Sequence, residues 1–294
     1  MPSKASILLP ISWSAVLTAA ALLFGSASGA LADPSGTKAP GQPPDEDQWR
    51  FLAVPYVWFT NLTGNTTVRG ISAPVDASFG GIASNLNIAV MGQFEVRKGK
   101  IGAFLNPVYA SLEASNNAGP FQIGGQQVPS RDVTVSSTLF TSDVGLYYRV
   151  LELNFSGGPS AGGARVVAEP YIGARIWHLS TEISIPLRDR NFESSGNKTW
   201  ADTIFGLRTQ WDITDRWNVA AIGDVGGGPF GASDLTAQGI LFAGYRFGLF
   251  NERDANLVAG YRALYDDFTT GSGREQFTYN ATLHGPLLGL SIAF

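Results

Sequence analysis

From about residue 48 to its end the chain alternates apolar and polar side chains with period two, in long stretches. No apolar run in that region reaches the roughly 18 residues that a membrane-spanning helix requires. Three stretches show the pattern plainly. Thr203, Phe205, Leu207 and Trp211 share one face, with Asp202, Gly206, Arg208 and Gln210 on the other. Leu257, Ala259, Tyr261, Ala263 and Tyr265 oppose Gly260, Arg262 and Asp266, and Leu241, Ala243, Tyr245 and Phe247 oppose Thr236, Gln238, Gly244 and Arg246. A soluble sandwich alternates too, but its polar face looks at water and favours Lys, Glu and Thr. Here that face is Gly, Arg, Asp and Gln, as expected of a wall that is apolar toward lipid and polar toward an enclosed lumen.

The connections sort by length. Short turns fall at Lys98-Gly99-Lys100, Thr214-Asp215-Arg216 and 251–255, with a longer glycine-rich one between Leu153 and Ala164. Longer polar stretches fall at 62–86, 115–130, 186–198 and 269–274, with a tight fourth member of that set at 229–233. In transmembrane barrels of the outer membrane the periplasmic turns are short and the external loops long. The strands then read 48–61, 87–97, 100–114, 131–150, 165–184, 199–213, 216–228, 234–249, 256–268 and 275–294. The expected fold is an all-β, antiparallel up-and-down transmembrane barrel of about ten strands, with eight and twelve as outer bounds. Twelve is the main alternative, because the first long loop contains two extended pieces, TTVRG and APVDASF.

The amino terminus fits export. Lys4 precedes the apolar run SILLPISWSAVLTAAALLFG, which leads into Ala30-Leu31-Ala32, so residues 1–32 read as a signal peptide cleaved after Ala32. Residues 33–47 are rich in proline and charge and read as a disordered periplasmic leader, leaving 48–294 for the barrel. The chain has no cysteine, so an exported fold must close without disulfides. Its net charge of −4 becomes −5 once the signal and its single Lys4 are removed, which argues against nucleic acid as a partner.

The end of the chain, GPLLGLSIAF, sets a puzzle of parity. Leu288, Leu290, Ile292 and Phe294 share one face, while Phe277, Tyr279, Ala281 and Leu283 fall on the other. Both sets are expected to face lipid, so a one-residue shift must occur, and a β-bulge near Gly285-Pro286 is the expected device.

A tripeptide recurs inside the strands. Gly-x-Arg occurs at 173–175, 206–208, 244–246 and 260–262, and positions i and i+2 share a face, so each arginine lies beside a glycine that leaves it room. Arg97 and Arg149 lie on comparable faces, with Glu95, Asp143, Glu169, Asp202, Asp224 and Asp266 as prospective partners. Two readings follow: a salt-bridge network filling the lumen, because buried charge must be paired, or a constriction of Arg175, Arg208, Arg246 and Arg262 that selects ions or small solutes.

Enzymatic readings are few. His178-x-Ser180 sits on a strand with lipid-facing parity, near Asn191 and Glu193, which makes an outer-membrane lipid esterase the catalytic alternative. The plainer reading makes both interfacial polar residues, beside Trp177 in the aromatic girdle. No group of residues has metal-ligand spacing and nothing indicates a cofactor. The stretch Phe79 to Leu86 suits either a helical turn folded inward or a capping loop outside.

The segments PYVWFT, VDASFGGIASNLNIAVMGQFEVRKGKIG, GDVGG, AGYRFG, AGYRALYDDF and GPLLGLSIAF resemble a family of porin-like outer-membrane β-barrel proteins of Gram-negative bacteria to which no activity is assigned. Members tend to carry an acidic residue after the Ser-Phe pair, where this chain has Gly80-Gly81. The resemblance implies the outer membrane as location, lipid and the barrel insertion machinery as partners, and Phe294, Ile292 and Leu290 as the insertion signal. The function expected is a structural or porin-like barrel, passing ions or small solutes if anything, with surface adhesion through the outer loops as a further alternative.

Overall fold

A computed structural model describes residues 48–68, 71–118, 121–123, 126–128, 131–156, 158–159, 163–186, 191–249 and 253–293. The stretches read as a signal peptide (1–32, with its expected cleavage point) and a leader (33–47), and Phe294, lie outside the described residues.

Ten strands close into one antiparallel ring: β1 (Trp49–Trp58), β4 (Leu86–Lys98), β5 (Ile101–Ala118), β8 (Arg131–Tyr148), β10 (Ala164–Pro186), β11 (Asn191–Asp212), β12 (Trp217–Gly231), β13 (Leu235–Leu249), β14 (Arg253–Thr270) and β15 (Phe277–Ala293). The ring shuts where β15 meets β1, from Leu52↔Ala293 to Trp58↔Leu287. Each strand therefore has a partner on both sides along much of its length, which is what backbone polar groups need in a medium that offers no hydrogen bonds.

Three further strands decorate the ring. β2 (Asn61–Val68) continues β1 along the outer half of β15 in unbroken register, and β3 (Ile71–Ala77) folds back on it. These are the two extended pieces of the first outer loop, and they extend the wall without adding to the ring. β9 (Leu151–Phe155) pairs with the first residues of β10, Ala164 to Ala168. The short β6 (Phe121–Ile123) and β7 (Gln126–Val128) form a separate hairpin in the loop between β5 and β8.

The outward face is what puts this ring in a bilayer. Phe51, Phe94, Ile101, Leu146, Ile172 and Leu241 are each at least half exposed. An apolar belt of that extent is far larger than the patches a water-soluble monomer carries, and Trp49, Tyr148, Trp211, Trp217 and Tyr245 edge it at the end with the short turns, as an aromatic girdle does. The alternation read in β11, β13 and β14 holds throughout.

Two expectations need correction. β15 has no bulge: its register with β14 runs unbroken from Ala255↔Ile292 to Thr270↔Phe277, and Gly285 and Pro286 pair in line with Arg262 and Tyr261. Leu288, Leu290 and Ile292 face outward as expected, but Tyr279, Ala281 and Leu283 face inward and are buried. Parity is conserved because the outer half of the lumen is itself apolar. Trp177 is likewise no girdle residue, being wholly buried inside the ring.

One seam of the wall is incomplete. The ladder between β1 and β4 ends at Pro55↔Gly92, and beyond it Val57–Asn61 and Leu86–Val90 run without pairing each other. Helix α1 (Phe79–Ser84) stands at this place, capped by Ser78, whose Oγ accepts from the Gly81 amide. It seats on the outward-facing Phe59 and Asn61: the Phe79 ring meets that of Phe59 edge-on at 5.0 Å, and its amide donates to Asn61 Oδ1 at 2.9 Å.

Candidate functional site

The inward side chains form layers, stacked upward from the end that carries the short turns. At the mouth, Arg149 bridges Glu152 (3.0 Å) and Glu169 (2.8 Å), Arg165 bridges Glu152 (2.8 Å) and Asp212 (3.1 Å), and Arg246 pairs with Asp212. Above it Arg208 reaches across the lumen to Glu95 at 2.8 Å and takes Glu169 at 2.7 Å, with its guanidinium 4.0 Å over the Tyr147 ring.

Between this layer and the next is a cavity of about 170 Å³. Its walls differ. One side carries Gln93, Glu95, Asn106, Glu169 and Arg208; the other presents Leu52, Val54, Phe242, Val258 and Leu287, with Asn218, Asn256, Ser291 and Arg262 among them.

Arg175 forms the central layer and is fully buried. It donates from Nε and Nη2 to both oxygens of Asp143 (2.7 and 3.0 Å), from Nη2 to Asp224 (3.2 Å) and from Nη1 to Thr236 Oγ1 (3.1 Å). Tyr171 donates to Asp224 at 2.7 Å, and Gln238 donates to Asp224 at 2.9 Å. Charge-assisted bonds of this density are what make a buried charge tolerable. Arg262 lies beside this group with its guanidinium 4.7 Å over the Trp58 ring.

The outer half is filled by an aromatic stack. Trp177 lies parallel to Trp200 (5.8 Å, 11°), Trp200 parallel to Phe268 (4.4 Å, 5°), and Tyr279 packs against both tryptophans. Leu264, Leu283 and Leu287 complete the cluster. At its edge Ser233 donates its amide (2.8 Å) and its hydroxyl (2.7 Å) to Asp202, and its hydroxyl oxygen is also 3.1 Å from Asp266, which accepts from Trp200 Nε1 at the same distance.

All six residues read as lumenal, Arg175, Arg208, Arg246, Arg262, Asp202 and Asp266, do face inward. They do not form one constriction. Arg208 pairs in register with Glu169 on β10, six residues below Arg175, and Arg246 belongs to the mouth. Asp202 and Asp266 make no ion pair with an arginine among the described residues; a serine and a tryptophan hold them. What the sequence reading missed is the aromatic filling, together with Tyr56, Tyr147 and Tyr171 as lumenal hydrogen-bonding groups. The parity of Tyr279, Ala281 and Leu283 was the available signal.

One glycine of the Gly-x-Arg repeat, Gly206, has a use beyond the arginine, and Gly102, outside the repeat, shares it. Tyr171 lies directly opposite Gly206, and a Cβ at Gly206 would overlap its ring. Tyr147 covers Gly102 in the same way. Glycine thus lets a neighbouring strand's aromatic ring lie flat across the inner wall, where its hydroxyl reaches the carboxylate layers.

His178 and Ser180 face outward as expected. His178 Nδ1 is engaged with Thr199 Oγ1 at 2.7 Å. Glu193 is opposite Ser184 and Asn191 opposite Pro186, four and six residues beyond Ser180 along β10. At about 3.3 Å per residue that is at least ~13 Å of strand, too far for a third member to orient the histidine. Their side chains lie outside the described residues.

No family model matches the chain, and no curated protein is similar to it. Among solved structures it is similar to the translocator domain of the autotransporter NalP from Neisseria meningitidis (13% identity over 84% of this chain and 88% of that one, TM-score 0.35). It is similar also to the P. putida toluene transporter TodX (11%, 85% and 90%, TM-score 0.32) and to Ail, the attachment invasion locus protein of Yersinia pestis (9%, 84% and 99%, TM-score 0.30). Likenesses this distant say nothing of activity; the barrel rests on its own hydrogen-bond register.

Proposed function

We propose that the protein is an outer-membrane barrel of a Gram-negative envelope whose lumen is closed at rest. Its role is structural, or porin-like for ions and small solutes only after its inner layers move. The observation that supports this is the filling of the ring by its own side chains: Arg175, Trp177, Ile204, Arg262 and Leu264 are essentially inaccessible. Ten strands leave little free interior, whereas open porins use 16 to 18. Lipid contacts the outward belt, and the barrel insertion machinery reads the terminal strand through Leu290, Ile292 and Phe294.

Planar-bilayer recording of the refolded protein tests this reading. Wild type gives no unitary conductance, and steps appear when Trp177 and Trp200 are both changed to Ala. Stable open steps from wild type would refute the closed lumen.

A second reading, a surface-binding barrel, is favoured by one observation. β10 and β11 remain paired as far as Pro186↔Asn191, well beyond the roughly 9 to 11 residues that cross a bilayer. The β11 to β12 ladder stops at Asp202↔Gly231, so 191–201 has β10 on one side only. Replacing 181–196 by a tight turn abolishes cell-surface adhesion on this reading while the barrel still assembles; unchanged adhesion removes it.

A further inference from the structure

Arg262 is 1% exposed and its hydrogen-bonding capacity is mostly unused. A guanidinium carries five N–H donors. Nη1 donates to Tyr56 Oη at 3.0 Å, and Tyr56 in turn donates to Asn106 at 2.8 Å. Nε has no acceptor, and the nearest carboxylate, Asp143, stands 3.7 Å from Nη2 and is already held by both nitrogens of the Arg175 fork. Arg175, one layer away, shows what a satisfied arginine looks like in this lumen. A buried, charged donor without its acceptor is costly, and this one lines the cavity.

The rest of the cavity says what the acceptor would be attached to. Leu52, Val54, Phe242, Val258 and Leu287 give it an apolar wall. Its volume of about 170 Å³ is close to that of an engineered apolar cavity of about 150 Å³ that takes up benzene. A phosphate dianion would want a second free cation, and Arg208 is already committed to Glu95 and Glu169. A carboxylate matches one guanidinium with two parallel bonds and leaves an apolar body for Val258 and Leu287, which flank Arg262 along the same β14–β15 wall.

The approach from the periplasm favours an anion as well. Arg97, Arg149, Arg165 and Arg246 stand around the mouth against Glu152, Glu169 and Asp212, an excess of one positive charge. A low-dielectric funnel with an excess of one sign concentrates ions of the other.

From these observations we infer that the lower lumen is a binding site for a small apolar monocarboxylate of about benzoate size, its carboxylate on Arg262 and its body against Val54, Val258 and Leu287. The site rests on the closed-lumen reading in one respect: the Arg175 layer is its ceiling.

Benzoate is the probe, with the neutral isostere benzamide as control, titrated calorimetrically into the full mature barrel in nanodiscs. Wild type binds benzoate saturably and benzamide at least about tenfold more weakly, a difference of about 1.4 kcal/mol. Arg262→Gln brings benzoate down to the level of benzamide. Val258→Phe fills the apolar side without touching the guanidinium and removes binding of both. Heat-modifiable migration reports folding, so an unfolded Arg262→Gln leaves the decision to Val258→Phe. Absence of saturable benzoate binding by wild type, equal affinity for benzamide, or binding unaltered in Val258→Phe overturns the site. Bilayer recording of the same preparation separates the two readings: a silent barrel that ignores benzoate loses only the site, and a conducting one loses the closed lumen.

Discussion

Replacing Arg175 by Met tests whether the central layer is dry. The substitution keeps most of the side-chain volume and removes four hydrogen bonds, two to Asp143, one to Asp224 and one to Thr236. Asp224 retains Tyr171 and Gln238 as donors; Asp143 retains only Gln238 at 3.4 Å and the distant Arg262. An uncompensated carboxylate at such a place costs about 3–5 kcal/mol, whereas removing both charges of a buried pair is close to neutral. The double variant Arg175→Met/Asp143→Asn is therefore more stable than Arg175→Met, by about 2 kcal/mol or more of coupling. Urea unfolding from phospholipid vesicles, followed by tryptophan fluorescence, measures all the variants on one scale. A loss below about 1 kcal/mol in Arg175→Met, or additive losses in the double variant, would mean that water reaches these charges and that the lumen is open.

Other substitutions probe the wall. Gly206→Ala forces the Tyr171 ring away from the strand and with it the bond to Asp224; overpacking of this kind costs about 1–3 kcal/mol, and Tyr171→Leu in the same chain recovers most of it. A loss that persists in the double variant would put the strain elsewhere. On the lipid side, Ile172→Arg costs about 2–4 kcal/mol and Trp217→Arg about 0–1, because the penalty falls from the bilayer midplane to its edge. Equal losses in the same unfolding assay would mean that the belt is misplaced. At the incomplete seam, the Ala89 amide exchanges with solvent hydrogen faster than the Gln93 amide, whose residue pairs with Val54; solution NMR in nanodiscs reads both, and equal protection would mean that the seam is closed.

The wall was legible from sequence because lipid imposes a simple rule. A residue facing hydrocarbon must be apolar, its neighbour faces the other way, and turn residues mark where the chain reverses. The strand ends of β4, β12 and β13 accordingly fall within three residues of those read from the alternation. β11 begins eight residues before the expected 199, because 186–198 is polar and polarity marks where the bilayer stops, not where pairing stops.

The lumen obeys no rule of that kind. An inward residue may be charged, as Arg175 is, or as apolar as Trp177, provided that its neighbours across the ring complement it. Those neighbours are remote in sequence: Arg208 meets Glu95 across 113 residues, and Trp200 meets Asp266 across 66. Alternation reports that two faces differ, and assigns them only when one face is polar throughout. In β15 it is not. Tyr279, Ala281 and Leu283 match the apolarity of Leu288 and Leu290 on the opposite parity, and reading all five as lipid-facing demands a bulge that the register excludes. A parity conflict of this kind in a barrel strand is better taken as a sign that the lumen beside it is dry. The inference extends to β1, where Trp58 and Tyr56 lie on the inward parity beside the outward Val57. There too the aromatic residues belong to the filling, and Arg262 lies over Trp58 and donates to Tyr56.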